Sequence, residues 1–123
     1  MKHNPRTVVL ESGAIVYIGR DAAQNDYLCT KYKNNVDALW FHIKDSPGPH
    51  VILINSIGLT DVQIAAGLAI HLSKKDHGIV EYCTLDQVYK KRGAKLGEVC
   101  LTDETKEIIV TRASTNIKSK ITI

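Results

Sequence analysis

Trp40-Phe41-His42-Ile43-Lys44-Asp45-Ser46-Pro47-Gly48-Pro49-His50 reads as a strand, a turn and the start of a second strand. Side chains alternate between the two faces of a strand. Leu39, Phe41 and Ile43 therefore share one face, and Trp40, His42 and Lys44 share the other. Pro47-Gly48 is a turn signal, because Pro presets one backbone dihedral and Gly tolerates a positive one. His50 then opens the apolar run Val51 to Ile54, and the turn is expected to return His50 beside Lys44. An indole, two imidazoles and an ammonium on one accessible surface make a candidate binding site. The competing reading is a half-buried packing face, in which Trp40 and the histidines serve the core.

Working outward, Val8 to Leu10 and Ala14 to Ile18 form a hairpin over Ser12-Gly13. Asp21 is placed to cap a helix running from Ala22 to about Lys33. Thr60-Asp61-Val62-Gln63 has the spacing of a capping box, with Thr60 bonding forward and Gln63 reaching back. The helix behind it carries Val62, Ala65, Ala69 and Leu72 along one stripe and stops at Asp76-His77-Gly78. Ile79 to Thr84 is a strand, and Leu85 to Gly97 is a long basic connection. Glu98 to Leu101 and Glu107 to Thr111 are expected to pair as a hairpin around Asp103-Glu104. These elements add up to one α+β domain over residues 1–112, a mostly antiparallel sheet with two main helices, and a short extension over 113–123.

At 123 residues and 44% hydrophobic content, the chain holds one packed domain. Its apolar runs fall far short of the roughly 20 residues of a membrane span, and no secretory or transit pattern opens it. The expected compartment is the cytoplasm, with no membrane partner. Cys29, Cys83 and Cys100 are odd in number, far apart and not at zinc-ligand spacing, so thiols, no metal and no cofactor are expected.

The net charge of +3 is modest, and its distribution says more. Lys90, Lys91, Arg92 and Lys95 crowd one loop without interleaved acids. Gly93 and Gly97 bracket that loop, which suits close approach of backbone N–H groups to an anion. Arg20 and Lys44 add cations, and Trp40 and Tyr89 are stacking surfaces for bases where they are exposed. For catalysis, His42 and His50 are a candidate acid–base pair with Asp45 as the third group. No P-loop, dinucleotide fingerprint, HExxH or GxSxG accompanies them. Phosphate-backbone binding is the stronger physical reading, and the chain is not expected to be an enzyme.

Gly19-Arg20-Asp21-Ala22-Ala23-Gln24-Asn25-Asp26-Tyr27-Leu28 resembles the opening motif of the NFACT-R domain. Asp37 to His50 is similar to that family's central D-(apolar)-W-(F/L)-H-x-K-D-x-P-G-S-H motif. Leu68-Ala69 with Ser73-Lys74 resembles its helix ending, and Lys90-Lys91 with Gly93-Ala94-Lys95-Leu96-Gly97 its basic loop. The resemblance runs from about Val8 to Thr111 and rests on four motifs in order. Pro49 departs from the usual Ser and Leu96 from the usual Pro. The family includes large ribosome-associated quality-control factors, in which this domain is one RNA-binding module, and small proteins made mainly of it. The chain looks like such a small form, without the large factors' other modules.

The resemblance implies a domain that binds structured RNA, rRNA or tRNA, in translation or its quality control, with the large ribosomal subunit as a further partner. Arg20, Lys44, Lys90, Lys91 and Lys95 are the expected phosphate contacts. Trp40, His42 and His50 are the expected shaped, partly polar patch between them. Asn25 and Asp26 are expected to hold the helix to the sheet, and Asp45 to fix the turn or orient His50. The rival readings are a protein-interaction adaptor with a basic face, a small hydrolase built on His42 and His50, and a general polyanion or DNA binder.

Overall fold

The alternation around Trp40 produces a strand with two buried faces. The structure, a computed structural model, describes residues 4–110. The elements are β1 (Arg6–Val9), β2 (Ile15–Ile18), α1 (Ala22–Lys31), β3 (Leu39–Ile43), β4 (Val51–Ile54), α2 (Leu59–Leu72), β5 (Gly78–Thr84), β6 (Val88–Tyr89), β7 (Cys100–Leu101) and β8 (Lys106–Val110). Six strands form one antiparallel sheet in the order β1-β2-β4-β3-β5-β8, while β6 and β7 pair separately. The fold is α+β, and no described helix is long and apolar enough to cross a membrane. The expected boundary at residues 112–113 and the extension after it lie outside the described residues.

Helix α2 seals one face of the sheet. Its Ala65, Leu68 and Ala69 pack with Val16, Phe41, Ile43, Val51, Leu53 and Val80. The other face carries a second core, in which Leu28 and Cys29 of α1 meet Trp40, Ile52, Cys83 and Leu85. All four residues of β4 are consequently buried, as expected of a strand covered on both faces. The face assignment read from the alternation holds. Its accessibility does not: Trp40 is only 3% exposed.

Three local expectations are corrected. The N-cap of α2 is Gly58, and no side chain caps it. Instead the buried Asp61 carboxylate accepts from the Ile57 amide (3.0 Å) and the Ser12 hydroxyl (2.7 Å), tying the β1–β2 turn to the start of α2. Secondly, Glu107 does not pair with the strand at Cys100. β7 pairs with β6, and β8 adds to the sheet edge beside β5, because Ile108 and Val110 complete the α2 core there. Thirdly, His50 turns away from Lys44 to sit under Trp40.

Candidate nucleic-acid interface

The three polar residues Gln24-Asn25-Asp26 near the start of α1 each make a different tie. Asp21 caps the helix by accepting from the Gln24 amide (2.8 Å). Gln24 returns its side-chain oxygen to the Arg20 amide (2.8 Å). Asn25 Oδ1 accepts from the His50 amide at 3.1 Å, locking α1 onto β4. A Cβ at Gly19 would overlap that carboxamide, so only glycine fits there. Asp26 reaches the basic loop, as the anion that the loop encloses. It accepts from the Gly97 amide (3.1 Å) and forms an ion pair with Lys90 (3.1 Å).

The loop is two successive turns. The Ala94 amide donates to the Lys91 carbonyl and the Glu98 amide to the Lys95 carbonyl. Gly93 (φ 82°) and Gly97 (φ 79°) each occupy the third position, where a type II turn requires positive φ. The Lys90 ammonium, on an exposed side chain, bridges the turns by donating to Asp26 Oδ1 and to the carbonyls of Lys95 (2.7 Å) and Glu98 (2.9 Å). The expected nest for an external anion is therefore occupied by Asp26. What remains outward is the set of side chains Lys91, Arg92 and Lys95, all exposed. Gly97 packs against Ala22, where a Cβ would lie 3.1 Å from the Ala22 Cβ. That contact fixes the loop at the N-terminal end of α1, two residues from the exposed Arg20, whose guanidinium donates to the Asn4 carbonyl (2.8 Å).

His50 is the pivot beneath this assembly. Its Nδ1 accepts from the Trp40 indole N–H at 3.2 Å, and the ring also hydrogen-bonds the backbone of Gly97. Cys29 Sγ lies 3.7 Å from Nδ1. Burial, then the neighbouring His42, lowers the His50 pKa to about 4, while burial pushes the Cys29 thiol up to about 12. The pair stays neutral near neutral pH, a thiol beside an uncharged imidazole, and it lacks the thiolate–imidazolium character of a nucleophile.

The sequence-derived candidates thus separate. Arg20, Lys91 and Lys95 lie at or near the clamped loop with their charges outward. Lys90 is exposed too, but its ammonium is engaged by Asp26 and two loop carbonyls. Trp40 and His50 are core, a correction to their expected roles as surface contacts. Half-buried His42 stacks on Trp40 at 5.8 Å. Lys44 ion-pairs with Glu107, and that hydrogen bond raises its pKa, with Asp45 and Glu81 adding to the same negative field. Asp45 takes a positive φ in the turn and makes no hydrogen bond to His50. Tyr89 is exposed beside the loop. A further clamp escaped the sequence: Lys33 donates to the carbonyls of Leu85 and Val88, tying the end of α1 to the β6–β7 unit. No local signal announces that tie, since its partners lie more than fifty residues downstream.

The sheet, its two cores and the helix-clamped loop define an α+β module that presents a small cationic surface. The chain belongs to the NFACT protein RNA binding domain family, whose model matches residues 6–103. It is 34% identical to the Rqc2 homolog RqcH of Bacillus subtilis (strain 168), over 97% of this chain and 22% of that protein. The RqcH of Streptococcus suis is 32% identical over 93% of this chain and 21% of its own length. The chain thus spans about a fifth of the curated relatives it matches. A solved structure, the C-terminal part of the fibronectin/fibrinogen-binding protein of Streptococcus suis, superposes with a TM-score of 0.85 at 28% identity, covering 99% of this chain and 51% of that one.

Proposed function

We propose that this domain binds RNA, tRNA or rRNA, through the outer side of the basic loop and the adjoining end of α1, as a non-catalytic module of translation or ribosome-associated quality control. The family membership and the RqcH relatives support the RNA and ribosome part of the reading, and the large subunit is a further partner within this proposal. One observation carries the site. Among the described residues, Lys91, Arg92 and Lys95 have no acidic ion-pair partner, and they project from a loop held by Lys90, Asp26, Gly97 and His50. Preordered cations contact phosphates without an added ordering cost. Arg20 extends the footprint and Tyr89 supplies a ring beside it. Lys44 stays outside, because its charge is neutralised by Glu107.

The test is a salt titration of binding to tRNA, an rRNA fragment and a matched DNA duplex. Each lost phosphate contact lowers the slope of log K against log salt by about 0.7–0.9. Lys91→Ala/Arg92→Ala/Lys95→Ala is expected to lower it by about 2–3 with an unchanged melting temperature. Lys90→Ala is expected to lower the melting temperature first. An unchanged slope in the triple variant removes the loop from the interface, and equal affinity for DNA makes the domain a general polyanion binder.

A second reading rests on a different surface. Exposed Val9, Ile57 and Leu59 line a groove of about 550 Å³ between the β1–β2 turn and α2. That groove favours a protein-interaction adaptor if RNA binding is absent.

A further inference from the structure

With Trp40 buried, a second aromatic surface joins Tyr89 in flanking the proposed footprint. Tyr17 of β2, Tyr27 of α1 and Tyr32 just after α1 line a cleft with Lys31, Thr7 and Asn4, enclosing about 350 Å³. That volume is within the range of small-molecule pockets, roughly 300–1,000 Å³. Tyr17 and Tyr32 are stacked, their centroids 4.6 Å apart and their planes 16° from parallel. The Lys31 ammonium sits 5.5 Å from the centroids of both Tyr27 and Tyr32. Tyr27 is 41% exposed, and among the described residues it stacks on no other ring. The cleft is joined to the basic surface, since Asn4 at its wall accepts the Arg20 guanidinium N–H.

We infer that this tyrosine cleft receives an unpaired RNA base, stacked on Tyr27 within the Tyr17–Tyr32–Lys31 frame, as the same strand runs from the Lys91–Lys95 loop past Arg20. The inference rests on the RNA reading above and deepens it. The loop supplies phosphate contacts, which position a strand but carry no base information. A ring with an open face accepts any base, and an adjacent cation favours both the stack and the neighbouring phosphate. Two tyrosines already locked in a stack leave little to order on binding. The ligand class is therefore single-stranded RNA, or a loop or end of a structured RNA, and not a continuous duplex.

The test compares a single-stranded RNA oligonucleotide, the same strand with abasic nucleotides, and an RNA duplex, each bound to wild type, Tyr27→Ala and Tyr27→Phe. Removing one base-stacking ring is expected to weaken single-strand binding by about 5- to 100-fold. Tyr27→Phe keeps the ring and is expected to retain the affinity. Duplex binding is expected to stay unchanged in both variants, and the abasic strand to bind wild type and Tyr27→Ala alike. If wild type binds the single strand and Tyr27→Ala binds it equally well, the cleft inference is overturned while the RNA reading stands. If the Lys91→Ala/Arg92→Ala/Lys95→Ala variant also binds RNA unchanged, the loop reading falls separately. Absence of RNA binding by wild type overturns both.

Discussion

Lys90 and Lys91 are adjacent residues of one type with opposite fates, and the difference is set by what surrounds each ammonium. Lys90 meets two carbonyls and the Asp26 carboxylate, whereas Lys91 faces solvent. The same logic governs His50, which buries a neutral ring where His42 keeps partial access. The folded pKa of His50, about 4, lies below the ordinary histidine value of 6.5. Between those values the unfolded chain takes up a proton that the folded chain refuses, so stability is full above about pH 6.5 and falls as pH drops toward about 4. The slope from this one group is at most about 1.4 kcal/mol per pH unit, and the total on the order of 3 kcal/mol. His50→Gln should be less stable near neutral pH but lose less stability on acidification. Urea midpoints at about pH 7 and about pH 4.5 measure this, and an unaltered pH dependence in the variant would falsify the assignment.

At the scale of elements, the loop over residues 90–98 depends on two glycines that look equivalent in sequence. Both have positive φ. Only Gly97 also touches another element, with the Ala22 Cα 3.3 Å from a built Cβ, while Gly93 has open space around it. Gly93→Ala is expected to cost about 1 kcal/mol, the ordinary penalty of a left-handed alanine. Gly97→Ala adds the clash with α1 and is expected to cost about 2 kcal/mol or more, with a further loss of RNA affinity as the loop shifts. Equal costs in thermal unfolding would show that the contact with α1 is compliant. The misreading of α2's start has a similar origin. Thr60 and Gln63 have capping-box spacing, yet Asp61 is held by the distant Ser12 hydroxyl and the Ile57 amide, and the N-cap lies two residues earlier, at Gly58.

For the molecule as a whole, cations divide into clamps and contacts. Lys33, just past the end of α1, and Lys90, through Asp26 at mid-helix, hold the β6–β7 unit and the loop against α1, and Lys44 sits among Glu107, Asp45 and Glu81. Lysine acetylation footprinting with bound RNA is expected to protect Lys91, Lys95 and Lys31, and to leave Lys44 as reactive as in free protein. Protection of Lys44 together with unprotected Lys91 and Lys95 would move the footprint to the other end of β3. The sole Trp is a second reporter. Trp40 is buried beneath α1, so RNA binding should leave its emission nearly unchanged.

The sequence by itself determined the α+β class, the β1–β2 hairpin, the Asp21 cap, the stripe of α2 and the alternating faces of β3, because those follow from local dihedral preference and hydrophobic period. The family was legible too, in four motifs whose residues are now seen holding the fold together: Gly19 against Asn25, Gly48 against Ser73, and Gly97 against Ala22. Tertiary structure alone decided that both faces of β3 are covered, that Asp26 is the anion in the basic loop, and which lysines point outward. Those outcomes depend on contacts between residues as many as 71 positions apart. Burial and hydrogen-bond satisfaction act on whatever is adjacent in space, and no local pattern records that adjacency.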